Sequence, residues 1–211
     1  MKNIFLFAAL ASLTLFGCDQ PATTLSATTV DTVSHPKKSD PSRPADEMIL
    51  VKKLWDADAI INKQANDVGK QAVVDSTRAD ISNYLTNTLN AKANNWIAYV
   101  GDMQVIGSKI FLSLLIPKNW NLDNNSHPDF TAVNLKVYLN ADADKTVVNM
   151  LKSLTKGDRV TISGEFVKLN KKVDIEPSQL IADEGTSSIY SIFEEPWYPF
   201  TLTDIKPYAN K

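Results

Sequence analysis

The feature that most constrains this chain is a change of hydrophobic period at Asn94-Asn95. Before it, apolar or small residues recur every three or four positions at Leu50, Leu54, Ala57, Ile61, Ala65, Val68 and Ala72, which is the stripe of an amphipathic helix. After it, apolar residues alternate with polar ones, as on a half-buried strand. A chain that changes period once along its length is expected to be α+β, with a helical segment over residues 45–92 followed by strands. Ser42 is placed to cap the first helix, Pro44 suits its first turn, and Asp46 and Glu47 complement its dipole. Thr77 with Asp80 forms a variant capping box leading into Ile81, Tyr84, Leu85 and Leu89. The segment therefore reads either as two helices or as one long helix broken near Gly69 to Ser76. Its stripe can pack on the chain's own domain or receive a partner.

The strands are legible one by one. Trp96 to Ile106 is a long strand with Gly101 as a bulge, and Gly107-Ser108 turns it into Lys109 to Ile116, where Ile110, Leu112, Leu114 and Ile116 share a face. A polar loop from Pro117 to Asp129 precedes a third strand, in which Val133, Leu135, Val137 and Leu139 alternate with Asn134, Lys136 and Tyr138. Asp142 or Asp144 can cap a short helix carrying Val147, Val148, Met150, Leu151 and Leu154, with Gly157 placed to end it. Arg159 to Val167 is a fourth strand, with Gly164 as a bulge candidate, and Phe200 to Ile205 a fifth.

Three strands, a helix and two strands is the order of an OB-fold, a small Greek-key barrel. The run Leu151-Lys152-Ser153-Leu154-Thr155-Lys156-Gly157-Asp158-Arg159-Val160-Thr161-Ile162-Ser163-Gly164, with Ala98-Tyr99-Val100-Gly101 and Phe200-Thr201-Leu202-Thr203-Asp204-Ile205, resembles the OB-fold family called tRNA-anti-like. The resemblance spans about residues 95–206 and implies a five-stranded OB-like β-barrel with one inserted helix. The family's name records likeness to an anticodon-binding domain and does not by itself imply RNA binding. This chain departs from a minimal barrel by an insertion at about residues 169–199. That insertion is expected to hold a hairpin return at Lys172 to Glu176 and an irregular piece through Glu194-Glu195-Pro196-Trp197-Tyr198-Pro199.

The N-terminus has a different character. Lys2 is followed by an apolar run from Ile4 to Phe16, shorter than the roughly 20 residues a helix needs to cross a bilayer core. That pattern is a secretion signal. Leu15-Phe16-Gly17-Cys18 resembles the lipobox of bacterial lipoproteins, which implies cleavage of residues 1–17 and lipid on Cys18. Cys18 is the only cysteine, so the domain can hold no internal disulfide and no cysteine-based metal or redox site. Lipid on Cys18 would place the domain at the cell membrane facing the periplasm. Asp19 resembles the residue that retains enterobacterial lipoproteins at the inner membrane; an outer-membrane position stays open. Residues 18–44 are rich in Thr, Ser, Pro, Asp and Lys and read as a flexible tether. Within it, Lys37-Lys38 can touch headgroups or simply be solvated.

Few residues suit catalysis. The two histidines are His35 in the tether and His127 in a polar loop, so neither a triad nor a multi-histidine metal site can be assembled. Asn140, Asp142 and Asp144 have the alternate spacing of a calcium loop, but Lys145 replaces its turn glycine and Leu151 its bidentate glutamate. Asp123-Asn124-Asn125-Ser126-His127 reads as a solvated turn. No glycine-rich phosphate loop is present, and no cofactor is expected. A formal charge of −2, from 22 basic and 24 acidic residues, gives no general attraction for phosphate backbones, so nucleic acid is not the expected partner.

Binding is the better expectation. OB-folds present ligands to the face of their second and third strands. Here that face offers Phe111, Lys136 and Tyr138, and the insertion adds Trp197 and Tyr198 as aromatic anchors or as packing. Three functions follow, in this order: a non-catalytic module binding another envelope protein, a binder of oligosaccharide or nucleic acid, and a carboxylate-based enzyme on envelope glycans. The last requires two facing carboxylates about 5 to 9.5 Å apart.

Overall fold

The computed structural model describes residues 43–118, 132–177 and 192–209. The expected signal segment, Cys18, Asp19, the expected tether with His35 and Lys37-Lys38, the expected Ser42 cap and the run from Asp123 to His127 lie outside the described residues. Among the described residues no helix is long and apolar enough to cross a membrane.

The helical segment is two helices, α1 (Ala45–Ile61) and α2 (Asp67–Asn83), followed by a π-helical turn over Tyr84–Thr88. The break falls earlier than the expected Gly69 to Ser76, because the Asn66 side chain accepts the Gly69 N–H at 2.8 Å and starts α2 there. Thr77 and Asp80, expected to cap, lie inside α2. The apolar stripe holds over Leu50, Leu54, Ala57 and Ile61, all buried, whereas Ala65, Val68 and Ala72 face solvent. Val51, Val74, Ile81, Tyr84 and Leu85 complete the face that joins the barrel core.

The start of α1 is secured by tertiary contacts. Pro44 precedes the helix in the N-cap position and makes no side-chain cap. Asp46 and Glu47 do more than complement a dipole: Asp46 accepts the Trp96 indole N–H at 3.0 Å, and Glu47 accepts the Ile97 N–H at 2.9 Å. Both contacts tie the first turn of α1 to the first barrel strand.

The strands are β1 (Lys92–Ile106), β2 (Lys109–Pro117), β3 (Ala132–Asn140), β4 (Arg159–Phe166), the short pair β5 (Lys168–Leu169) and β6 (Lys172–Val173), and β7 (Trp197–Pro207). Five of them close a barrel in the order β1-β2-β3-β7-β4, with β3 and β7 parallel and the other pairs antiparallel. The fold is therefore α+β with an OB-like barrel, and α3 (Lys145–Leu151) is the helix between β3 and β4. Buried Trp96, Phe166, Tyr198 and Phe200 meet edge to face around Phe166, with centroids 5.3 to 5.8 Å apart.

The glycines in the strands have steric roles. The β1–β2 register shifts between Val100 and Met103, and a Cβ on Gly101 would stand 2.8 Å from the Ser113 Oγ. The β4–β7 register shifts at Gly164, where a Cβ would stand 2.2 Å from the Thr201 carbonyl.

Three local expectations are corrected. Asp144 holds the N-cap position of α3, but its carboxylate accepts the Asn140 N–H at 2.7 Å and caps nothing in the helix. The helix ends at Leu151, with Lys152 in the C-cap position, while Gly157, at φ +92°, serves the turn into β4 and donates its N–H to the Val100 carbonyl. The stretch Trp197-Tyr198-Pro199 is strand rather than irregular coil, because Asn134 donates to the Pro196 carbonyl and opens the parallel ladder between β3 and β7. The hairpin return expected from Lys172 does begin there, as β6, after a turn at Asn170 and Lys171, both at positive φ.

Candidate aromatic groove on the outer barrel face

Side chains of a strand point alternately in and out. On β2 and β3 the inward set is Ile110, Leu112, Leu114 and Ile116 against Val133, Leu135, Val137 and Leu139, all buried. That leaves Phe111, Ser113, Lys136 and Tyr138 outside, with Phe111 paired to Tyr138 and Ser113 to Lys136. The Phe111 and Tyr138 rings meet perpendicularly with centroids 5.5 Å apart. With Asp102 and Gln104 from β1 they line a groove of about 230 Å³. That is smaller than the roughly 300–1,000 Å³ of enclosed small-molecule sites, and suits a side chain or one ring of a larger ligand.

Trp197 joins this face and Tyr198 leaves it. The first residue of β7 lies beside Asn134, and the Lys136 ammonium sits 3.3 Å from the Trp197 ring centroid. Tyr198, next along the strand, points inward, is 1 % exposed and packs on Phe166, so it is core and not a partner anchor. Burial, and then the Asp174 carboxylate, push its phenol above the ordinary tyrosine range. Tyr138 by contrast is 55 % exposed, and its phenol is raised by partial burial and by Glu176.

Glu176 was not legible as part of this site. It reaches the face from the insertion, with its carboxylate 3.1 Å from the Lys136 ammonium. Lys136 is thus held between a carboxylate and an indole. Asp102, at the other end, pairs with Lys156 at 2.6 Å. The groove offers aromatic edges, the Gln104 amide and the Ser113 hydroxyl, with its charges matched internally. Among the described residues no group of three or more His, Cys, Asp or Glu side chains is arranged to hold a metal ion.

Two buried ionic clusters lie elsewhere. Lys118, at the end of β2, is buried; its ammonium is 2.8 Å from the Asp58 carboxylate of α1 and donates also to the Phe193 carbonyl. Burial lowers the lysine's pKa and raises the aspartate's, in each case against the partner's charge. Glu47 is fully buried, and its Oε1 lies 3.1 Å from Arg43 Nε in an ion pair without hydrogen-bond geometry. Burial pushes its pKa up to about 7, with Arg43 and the Ile97 N–H pulling the other way. Both acids fall on the α1 stripe, at Glu47-Leu50-Leu54 and Leu54-Asp58-Ile61, and that spacing was the available signal for their burial.

The Glu47 shift gives a signed expectation. An unfolded glutamate releases its proton near pH 4.5, whereas the folded one keeps it to about 7. Stability linked to this group is therefore full below the unfolded pKa and lost as pH rises through about 7, by about 3 kcal/mol in all. Urea unfolding from pH 5 to 8 should show that fall, and Glu47→Gln should flatten it.

Comparison with protein-family models, characterised proteins and solved structures finds none that matches this chain.

Proposed function

We propose that this chain is a bacterial lipoprotein, acylated on Cys18, whose OB-like domain of the tRNA-anti-like kind is a non-catalytic module that binds another protein of the cell envelope at the periplasmic membrane face. The observation that carries the binding part is the exposed apolar surface of the β1–β2 hairpin and of the groove face beside it. Val105 and Ile106 are 65 % and 62 % exposed at the tip of the β1–β2 hairpin; Met103 and Val105 pair with inward Leu112 and Ile110 and so lie on the face opposite the groove, whereas Ile106 shares the groove's face with exposed Tyr138. Isolated exposed apolar residues are ordinary; several on one hairpin offer a surface open to contact. The charges favour protein over nucleic acid, because Lys136 inside the groove is already neutralised by Glu176. The exposed Tyr138 ring beside Gln104 supports a second reading, in which the same face stacks on a sugar of an envelope glycan.

The anchoring part rests on Leu15-Phe16-Gly17-Cys18 and is tested by growth with labelled palmitate. The native chain is expected to incorporate label and sediment with membranes, and Cys18→Ala to do neither. Equal membrane association of the variant would contradict lipid anchoring.

A further inference from the structure

The long strand β1 changes neighbours along its length. From Lys92 to Tyr99 it pairs with β4, and the last backbone bonds on that side join Val100 to Gly157 and Asp158. Past the bulge at Gly101, Met103 to Ile106 pair with β2 alone, so among the described residues the opposite edge of these four residues has no strand beside it. Ladder bonds in an antiparallel pair alternate, so every second residue of this stretch directs its N–H and C=O away from β2.

Folded proteins normally defend such an edge with charges, proline or a bulge. Here the bulge lies before the edge, and Asp102, the nearest acid on β1, is already paired with Lys156. The edge itself is Met103-Gln104-Val105-Ile106, uncharged, free of proline and containing two β-branched residues. All four side chains are exposed. The groove formed by Gln104, Phe111 and Tyr138 opens on the outer face of the same hairpin.

We infer that Met103 to Ile106 form a docking edge for an extended segment of a partner protein, which adds to the barrel as a strand beside β1 and directs a side chain toward the Phe111–Tyr138 groove. This deepens the protein-binding reading and rests on it. The backbone groups of this edge, which no described strand pairs, specify the occupant: among protein partners, an extended chain is what matches donors and acceptors alternating along one line and replaces their water. The surface is too small for a second folded copy: Met103, Val105 and Ile106 supply on the order of a few hundred Å², against the roughly 1,200–2,000 Å² of a stable interface between folded proteins.

The test uses the purified full chain and a displayed library of random 12-residue peptides. Enriched peptides are expected to alternate apolar and polar residues and to slow amide hydrogen exchange at Met103 to Ile106 by at least tenfold. The best peptide, N-methylated at alternate residues in one register, should lose at least tenfold in affinity, while methylation in the other register should cost little. Side-chain docking alone would not produce that register dependence. Protection confined to Phe111 and Tyr138 would overturn strand addition while leaving a protein-binding groove. Failure to enrich any peptide would overturn both. Edge protection in the chain alone, with a dimer's sedimentation mass, would show that a second copy is the occupant and overturn the heterologous partner.

Discussion

Asp58→Ala is expected to destabilise the domain by about 3–5 kcal/mol, the cost of leaving a buried charge without its partner. The Lys118 ammonium that it strands is closed off from solvent and, among the described residues, keeps the Phe193 carbonyl as its hydrogen-bond partner, with Glu194 and Glu195 acting on it through space. Lys118→Met should cost less, because the Asp58 side chain retains 23 % exposure and can be rehydrated or take up a proton. The double variant Asp58→Ala/Lys118→Met should be more stable than Asp58→Ala alone, since it removes both charges and keeps apolar volume at position 118. Urea unfolding of the four proteins measures the cycle. Additive losses would mean that the two groups do not interact.

Gly164→Ala is the second large effect. The added carbon would lie 2.2 Å from the Thr201 carbonyl and 2.6 Å from the Phe200 ring, so backbone and ring must both give way. A loss of at least about 4 kcal/mol is expected, seen as a collapse of soluble yield or of the thermal midpoint. Gly157→Ala is the control: it is strained by its φ of +92° but meets nothing within 4 Å, and should cost only about 1–2 kcal/mol. Similar losses at the two glycines would mean that close packing of β4 on β7 is not what position 164 requires.

The barrel was legible because alternation is a local signal. Ile110 to Ile116 and Val133 to Leu139 show which face is inward before any partner strand is known, and Gly101 and Gly164 marked true register shifts. What escaped were features decided by distant residues. Trp197-Tyr198-Pro199 looked irregular because Pro196 precedes it and Pro199 ends it, yet Asn134 on β3 draws it into a parallel ladder. Glu47 looked like a dipole partner because its role depends on the Ile97 N–H, 50 positions away. Of the expected site, Phe111, Lys136, Tyr138 and Trp197 come together. Glu176 was missed because nothing local shows that the insertion folds back over β3. The open edge of β1 was missed because an edge is a property of topology: it exists only where β4 stops pairing at Tyr99.

The central claim is that the outer face of β1–β3 is where this domain meets its partner. Cells carrying the full chain with a photo-crosslinking amino acid at Tyr138, or at exposed Lys63 after α1 as control, test it directly. The account predicts a discrete crosslinked protein from position 138 and none from position 63. Equal crosslinking from both positions, or crosslinking from position 63 alone, would contradict it.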